Sequence, residues 1–251
     1  MQMVKNMTLE KIRRGEPAFG LACATGEPVL LEAIAHAGFD WIWIETQHGY
    51  WSYDRMLHAM QIIGAAGPTP IVRPAANEFA RINLALDAGA LGLVVPMVNS
   101  PEEARQAVFA ARYAPRGGRS SGGGRTWVVY GDDYPEKAND QILVAVMIET
   151  VEALECVEEI AAVDDLDCIF IGPADLAVSM GVERFGAEHE QALQRILDAS
   201  EAAGVPGGFP CGSVEDALRR AEQGFRLVHC GSEFGMVRSG LAATMKALGR
   251  G

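Results

Sequence analysis

Eight short apolar runs alternate with amphipathic helical stretches along 251 residues, and that alternation predicts a (β/α)8 barrel, the TIM-barrel architecture, as one domain spanning 1–251. Two further observations support it. The runs are continuously apolar, as parallel strands covered on both faces are, and no Pro/Gly/Ser linker divides the chain. A doubly wound open sheet is the alternative.

The elements follow in order. Phe19–Ala24 reads as the first strand, and the helix Pro28–Ala37 stops at Gly38. Trp41–Glu45 is the second strand. Pro70–Pro74 is the third, followed by a helix Glu78–Ala88 that stops at Gly89. Gly92–Met97 leads into the helix Pro101–Ala111, and Ile142–Glu149 into Val151–Ala161. Cys168–Gly172, Val205–Phe209 and Leu227–Gly231 complete the eight, with helix stops at Gly204 and Gly224 before the last two. Between Tyr113 and Ala138 a glycine-rich stretch containing Arg119, Arg125 and Trp127 breaks the alternation. It reads either as a flexible surface loop or as an active-site or subunit-contact loop.

Composition excludes several classes. With 49% hydrophobic and 22% charged residues the chain has a full-sized core and is not a disordered tail. Its formal charge of −12 argues against binding nucleic acid, which needs a basic footprint. No 18-residue apolar run suits a membrane span, and the polar N-terminus lacks a signal-peptide core. The five cysteines (Cys23, Cys156, Cys168, Cys211, Cys230) show no CxxC spacing, which suits reduced thiols in a cytoplasm.

A barrel carries its chemistry at the C-terminal ends of its strands. Strand two ends in Glu45-Thr-Gln47-His48, strand three in Arg73-Pro, strand four in Pro96-Met, strand five in Glu149-Thr, and strand six runs into Gly172-Pro173-Ala174-Asp175. Glu149 and Asp175, on neighbouring strands with no nearby Cys, suit a hard divalent cation such as Mg²⁺ or Mn²⁺. Each is alternatively a first-turn helix anion. His48, three residues after Glu45, suits an acid/base role, or is a hydrogen-bonded loop residue. Arg73 suits a carboxylate or keto oxygen, or a structural ion pair. His36, His58 and His189 read as surface or packing residues and His229 as core. The four lysines (Lys5, Lys11, Lys137, Lys246) all lie away from strand ends, which argues against a Schiff-base mechanism and leaves electrophilic work to a metal. There is no G-x-S-x-G elbow, P-loop or dinucleotide fingerprint.

From about Gly15 to Leu248 the chain resembles the HpcH/HpaI aldolase family, metal-dependent class II pyruvate aldolases that cleave 4-hydroxy-2-oxo acids. The motifs that carry the resemblance are Ala37-Gly-Phe-Asp-Trp-Ile-Trp-Ile-Glu-Thr-Gln-His48, Val72-Arg-Pro74, Leu86-Asp-Ala-Gly89, Val94-Val-Pro-Met97, Ala138-Asn-Asp140, Ile148-Glu-Thr150 and Phe170-Ile-Gly-Pro-Ala-Asp-Leu176. Each is weak alone; together and in order they are specific. The resemblance implies that Glu149 and Asp175 ligate a divalent metal (Mg²⁺ or Mn²⁺, with Co²⁺ as a further option). It implies that Arg73 holds the keto oxygen and stabilises the enolate, that His48 is the acid/base histidine, and that Asp87 is its paired acid. The Gly172-Pro173-Ala174-Asp175 turn would seat the carboxylate through backbone N–H groups. The substrates would be a small 2-oxo acid and an aldehyde. The base would be His48 or a metal-bound water, and the sequence does not decide between them. The family also implies a hexamer, a trimer of dimers, with the C-terminal helix exchanged between subunits; Phe234–Leu248 is the candidate.

There are departures. The family's Asp-x-Glu-His is here Glu45-Thr-Gln47-His48, which leaves the metal ligands intact and alters their surroundings. The Gln that often precedes Ile-Glu-Thr is Met147, the Trp common after Gly-Leu is Ala22, and the segment 119–134 is shorter. Together they imply a different or larger aldehyde acceptor. Two other readings compete. One is a CoA-thioester lyase of the malyl-CoA or citrate lyase β type, whose cationic cluster could only be Arg112–Arg125. The other is a non-catalytic 2-oxo acid binding barrel.

Overall fold

The computed structural model describes residues 5–122 and 124–250. The first four residues, part of the stretch read for a signal peptide, lie outside them. Eight parallel strands close in strict chain order, β1 pairing with both β2 and β8. They are β1 (Ala18–Cys23), β2 (Trp41–Glu45), β3 (Thr69–Arg73), β4 (Gly92–Val95), β5 (Leu143–Ile148), β6 (Cys168–Ile171), β7 (Gly207–Pro210) and β8 (Leu227–Ser232). The closed barrel settles the architecture against the open sheet.

The helices in the first half are α1 (Met7–Arg13), α2 (Pro28–Ala35), α3 (Tyr53–Ala66), α4 (Phe79–Ala88) and α5 (Pro101–Ala111). Those that follow are α6 (Gly124–Tyr130), α7 (Tyr134–Gln141), α8 (Val151–Glu155), α9 (Val157–Ala161), α10 (Pro173–Met180), α11 (Ala187–Ala202), α12 (Val214–Gln223) and α13 (Glu233–Ala247). None among the described residues is long and apolar enough to cross a membrane. Serine or threonine caps start several: Ser52, Ser100, Thr150, Ser213 and Ser232 each accept an N–H three residues on. The helix expected over Val151–Ala161 is two short helices meeting at Cys156, whose thiol bonds the carbonyls of Glu152 and Asn99.

Apolar side chains form two layers. Trp41, Trp43, Ile71, Met147, Phe170 and Leu227 fill the barrel, and a second cluster lies between strands and helices. Helix α1 closes the N-terminal end, burying Leu9 and Ile12 in the inner layer. Asn6 fixes it there: its Nδ2 donates to the carbonyls of Leu91 and Gln141, and its Oδ1 caps Leu9. The same end carries a buried charge network in which Arg112 donates to Asp167 (2.6 Å) and to the carbonyls of Ile142 and Asn139.

Of the two readings of the glycine-rich insertion, the flexible surface loop is not what the structure shows. The insertion contains α6 and α7, packed under the C-terminus of α4. Tyr130 Oη donates to the Gly89 carbonyl (2.6 Å), Arg125 to that of Ala88 (2.7 Å), and Tyr113 and Asn139 exchange hydrogen bonds. Aromatic packing among Tyr113, Tyr130 and Tyr134 supplies the burial that its glycines hid from the sequence reading. Within one chain the insertion therefore sits at the end opposite the strand C-termini.

His229 on β8 points inward, edge-on to Trp43 at 5.6 Å, with Nδ1 buried and unpartnered. Burial, aided by the charge of Arg73, pushes its pKa down to about 4. An unfolded histidine titrates near 6.5, so the unfolded chain takes up a proton first and stability is lost as pH falls from about 6.5 to about 4. His229→Phe should remove on the order of 2 kcal/mol of that acid-induced loss. Urea midpoints of both proteins at pH 7 and pH 4.5 check this; an equal drop in the two would exclude the role.

Candidate functional site

The strand C-termini bring six predicted side chains to one rim: Glu45, Gln47, His48, Arg73, Glu149 and Asp175. Glu149 follows β5 and is 2% exposed. Its Oε1 accepts the Met97 N–H (2.7 Å), and among the described residues Oε2 accepts no hydrogen bond. Burial raises its pKa above the usual carboxylate range. The charge of Asp175 adds to the rise, while the Met97 hydrogen bond, Arg73 and His48 oppose it. Asp175, Arg73 and His48 are thus each within electrostatic reach of Glu149.

Gly172 makes room for this carboxylate. A Cβ there would lie 2.4 Å from Glu149 Oε2 and 2.5 Å from Glu149 Cβ, so any side chain would displace the acid. Asp175 stands exposed in the first turn of α10, whose N-cap Gly172 supplies no side-chain cap. The amides of Ala174 and Asp175 in that turn lack the intrahelical partners of later residues and face an anion favourably.

Arg73, at the end of β3, lies over the Trp43 ring with its guanidinium carbon 5.2 Å from the centroid. Its Nε donates to Glu45 Oε2 (2.5 Å), and a second nitrogen also pairs with that oxygen. Glu45 Oε1 accepts the backbone N–H groups of Gln47 (2.7 Å) and His48 (2.9 Å). A glutamate where the resemblance has an aspartate thus reaches both the arginine and the loop. Gln47 is half-buried and His48 exposed, so the imidazole is anchored by its backbone and free at its ring. Met147, in the place of a common Gln, packs its sulfur 3.7 Å from Arg73 Nη1. Ala22 sits beside Trp43 in register and presents only a methyl group there.

Asp87 does not join this group within one chain. It is near the C-terminus of α4, at the other end of the barrel, and pairs with Arg119 (3.2 Å). Arg119 is also stacked between Tyr113 and Tyr134. Among the described residues the Arg112–Arg125 segment holds no free cationic cluster for a CoA phosphate: Arg112 pairs with Asp167, Arg116 with Asp165 and Asp140, Arg119 with Asp87, and Arg125 donates to the Ala88 carbonyl.

Two groups at the rim were not anticipated. Met97 adopts φ +54, left-handed backbone that turns its N–H onto Glu149. The sequence marks its place after strand four but not its backbone turn. Glu233, after β8, is buried and binds two backbone amides; in the sequence it looks like any first-turn acid.

The donor set suits a hard cation. Among the described residues no three His, Cys, Asp or Glu side chains converge to hold a metal, so a cation here would have two protein carboxylates and complete its shell with water or substrate oxygens. The Glu149 oxygen left open beside the Gly172 cradle is the observation that fits it.

Comparison with known proteins agrees with this geometry. Residues 19–239 match the family model described as HpcH/HpaI aldolase/citrate lyase. The chain is 34% identical over 250 residues to a hydroxypyruvate/pyruvate aldolase of Delftia acidovorans, covering 98% of this chain and 93% of that protein. It is 36% identical over 211 residues to a 4-hydroxy-2-oxo-heptane-1,7-dioate aldolase of Shigella sonnei, covering 80% of each. A crystal structure of a family member from Burkholderia cenocepacia superposes with a TM-score of 0.90 at 34% identity, covering 97% of this chain and 98% of that one. The chain therefore belongs to the HpcH/HpaI aldolase/citrate lyase family and is an enzyme of the lyase class.

Proposed function

We propose that this enzyme carries out reversible, divalent-metal-dependent aldol cleavage of a 4-hydroxy-2-oxo acid to pyruvate, or a close 2-oxo acid, and an aldehyde. The observation that carries the reading is the buried Glu149 carboxylate, open on one oxygen, within electrostatic reach of Asp175, Arg73 and His48.

Glu149 and Asp175 would hold the cation, Mg²⁺ or Mn²⁺ with Co²⁺ as an alternative, and bound there it would polarise the 2-keto group as a Lewis acid. The amides of Ala174 and Asp175, in the turn begun by Gly172 and Pro173, would bind the substrate carboxylate. The His48 ring would take the proton of the 4-hydroxyl. As the C3–C4 bond breaks, its electron pair passes to the enolate, and Arg73, kept in place by Glu45, stabilises that charge. Gln47 lines the same loop. Asp87 could meet His48 only across a contact with a second copy of the chain. All five cysteines are free, which supports a reducing, cytoplasmic setting.

The assembly proposal follows from α13. Of its residues only Glu233 is buried, and Phe234, Val237, Leu241 and Leu248 beyond it are exposed. A groove of about 420 Å³ lined by Phe19, Phe39, Leu218 and Cys230 runs beside the first turn of α13, whose Met236 reaches its edge while the rest of the helix leaves it uncovered. This supports exchange of α13 with a second subunit, within the hexamer of three dimers that the family resemblance implies.

Four outcomes are expected. Mn²⁺ at about a hundred times its dissociation constant should stabilise the wild type by about 2.7 kcal/mol in thermal unfolding. Glu149→Gln should lose that stabilisation and metal-dependent deuterium exchange at the pyruvate methyl; unchanged exchange would sink the ligand assignment. His48→Ala should keep the metal response but slow cleavage by about two to four decades. A normal rate would transfer the proton step to another base. Deleting residues 234–251 should reduce the assembly seen by sedimentation equilibrium, and an unaltered mass would exclude helix exchange.

A further inference from the structure

The reaction above leaves unused a buried acid at the C-terminal rim. Glu233, the first residue of α13, is 2% exposed. Its Oε1 accepts the N–H groups of Ala24 (2.5 Å) and Thr25 (2.7 Å), while Oε2 is buried and has no partner among the described residues. Among the described residues it forms no ion pair. A carboxylate out of water with no cation is costly, so its two backbone contacts must hold something worth holding. A first-turn acid serving only its own helix would leave the turn after β1 alone; here the helix start is capped instead by Ser232, which accepts the Gly235 N–H.

The turn that Glu233 holds is packed directly on the His48 loop. The Ala24 carbonyl accepts the Tyr50 N–H (2.7 Å), and the Trp51 indole donates to the Cys23 carbonyl (2.7 Å). Gly49 lies so close that a Cβ would sit 2.0 Å from the Glu45 carbonyl oxygen and 3.0 Å from that of Ala24. His48 is thus gripped from two sides, by Glu45 through its own N–H and by the 23–25 turn through Gly49, Tyr50 and Trp51.

We infer that Glu233 is a positioning residue for the His48 loop, tying the base of the last helix to the acid/base side of the site through the turn after β1. This rests on the aldolase reading for its kinetic consequence, but its structural consequence does not.

The test uses the full-length Mn²⁺-loaded protein and compares wild type, Glu233→Ala, Glu233→Asp and Glu233→Gln. In Glu233→Ala, amide hydrogen exchange of residues 24–25 and 49–51 should accelerate about tenfold or more, as expected when a local opening is made easier. The kcat for oxo-acid cleavage should fall about tenfold to a hundredfold, the scale of a misplaced catalytic group. KM and Mn²⁺ affinity should change by less than about twofold, because among the described residues neither Glu149 nor Asp175 is bonded to Glu233 or to the 23–25 turn. Glu233→Gln keeps an oxygen acceptor for both amides and should restore loop protection and most of kcat. If Glu233→Ala fails to fold, Glu233→Asp replaces it: one methylene shorter, it should release the same segments. Unchanged exchange at 49–51 in the Ala or Asp variant would overturn the inference, as would Mn²⁺ affinity falling in step with kcat. If the wild type cleaves no oxo acid, the aldolase reading fails, and exchange at 49–51 still decides the coupling.

Discussion

The C-terminal mouth depends on one buried carboxylate shared between an arginine and a loop. Glu45 neutralises Arg73 with one oxygen and pins the amides of Gln47 and His48 with the other. Neither job could be left undone. Removing one partner of a buried ion pair typically costs about 3–5 kcal/mol, because the survivor stays charged and dry. The aromatic floor supports the arrangement: Trp43 lies under the guanidinium and is itself braced by Trp41 and Phe170. The sheet supplies the registration, since Glu45 and Arg73 are direct partners across β2 and β3. A functional group aimed by strand pairing moves only if the barrel moves.

The other side of the mouth is built differently. There a left-handed residue, Met97, and a residue without a side chain, Gly172, shape the space around Glu149 from either side. The acid is held by one backbone amide and left open on its other oxygen, so burial keeps it dissatisfied until a cation or a proton arrives. The two sides differ in kind: one is a satisfied ion pair that fixes position, the other a buried acid with one oxygen left open, where the proposed cation would bind.

Much of this was legible because periodicity and strand-end chemistry are local signals. Trp41–Glu45 and Pro101–Ala111 occur with the boundaries the sequence implied, and the other strands shift by one or a few residues. The rim position of Glu45, Arg73, Glu149 and Asp175 followed from the barrel rule alone. What was hidden depends on partners far along the chain. The insertion looked unstructured because its glycines are local, whereas its support comes from Ala88, Gly89 and Tyr113. Asp87 looked like a site residue by motif, yet the helix carrying it runs back to the far end of the barrel before reaching that position. Met97 and Glu233 owe their roles to backbone groups that no side-chain pattern records.

The seam between β1 and β8 imposes an order on the making of the molecule. Ala18 hydrogen-bonds Arg226, and Asn6 waits for Leu91 and Gln141. During synthesis the first strand and the plug helix emerge with none of these partners in existence, and the barrel cannot be sealed until nearly the whole chain has left the ribosome. The growing chain therefore carries Trp41, Trp43 and Phe170 without a closed interior to hide them, a long interval in which its own hydrophobic lining is available to other proteins.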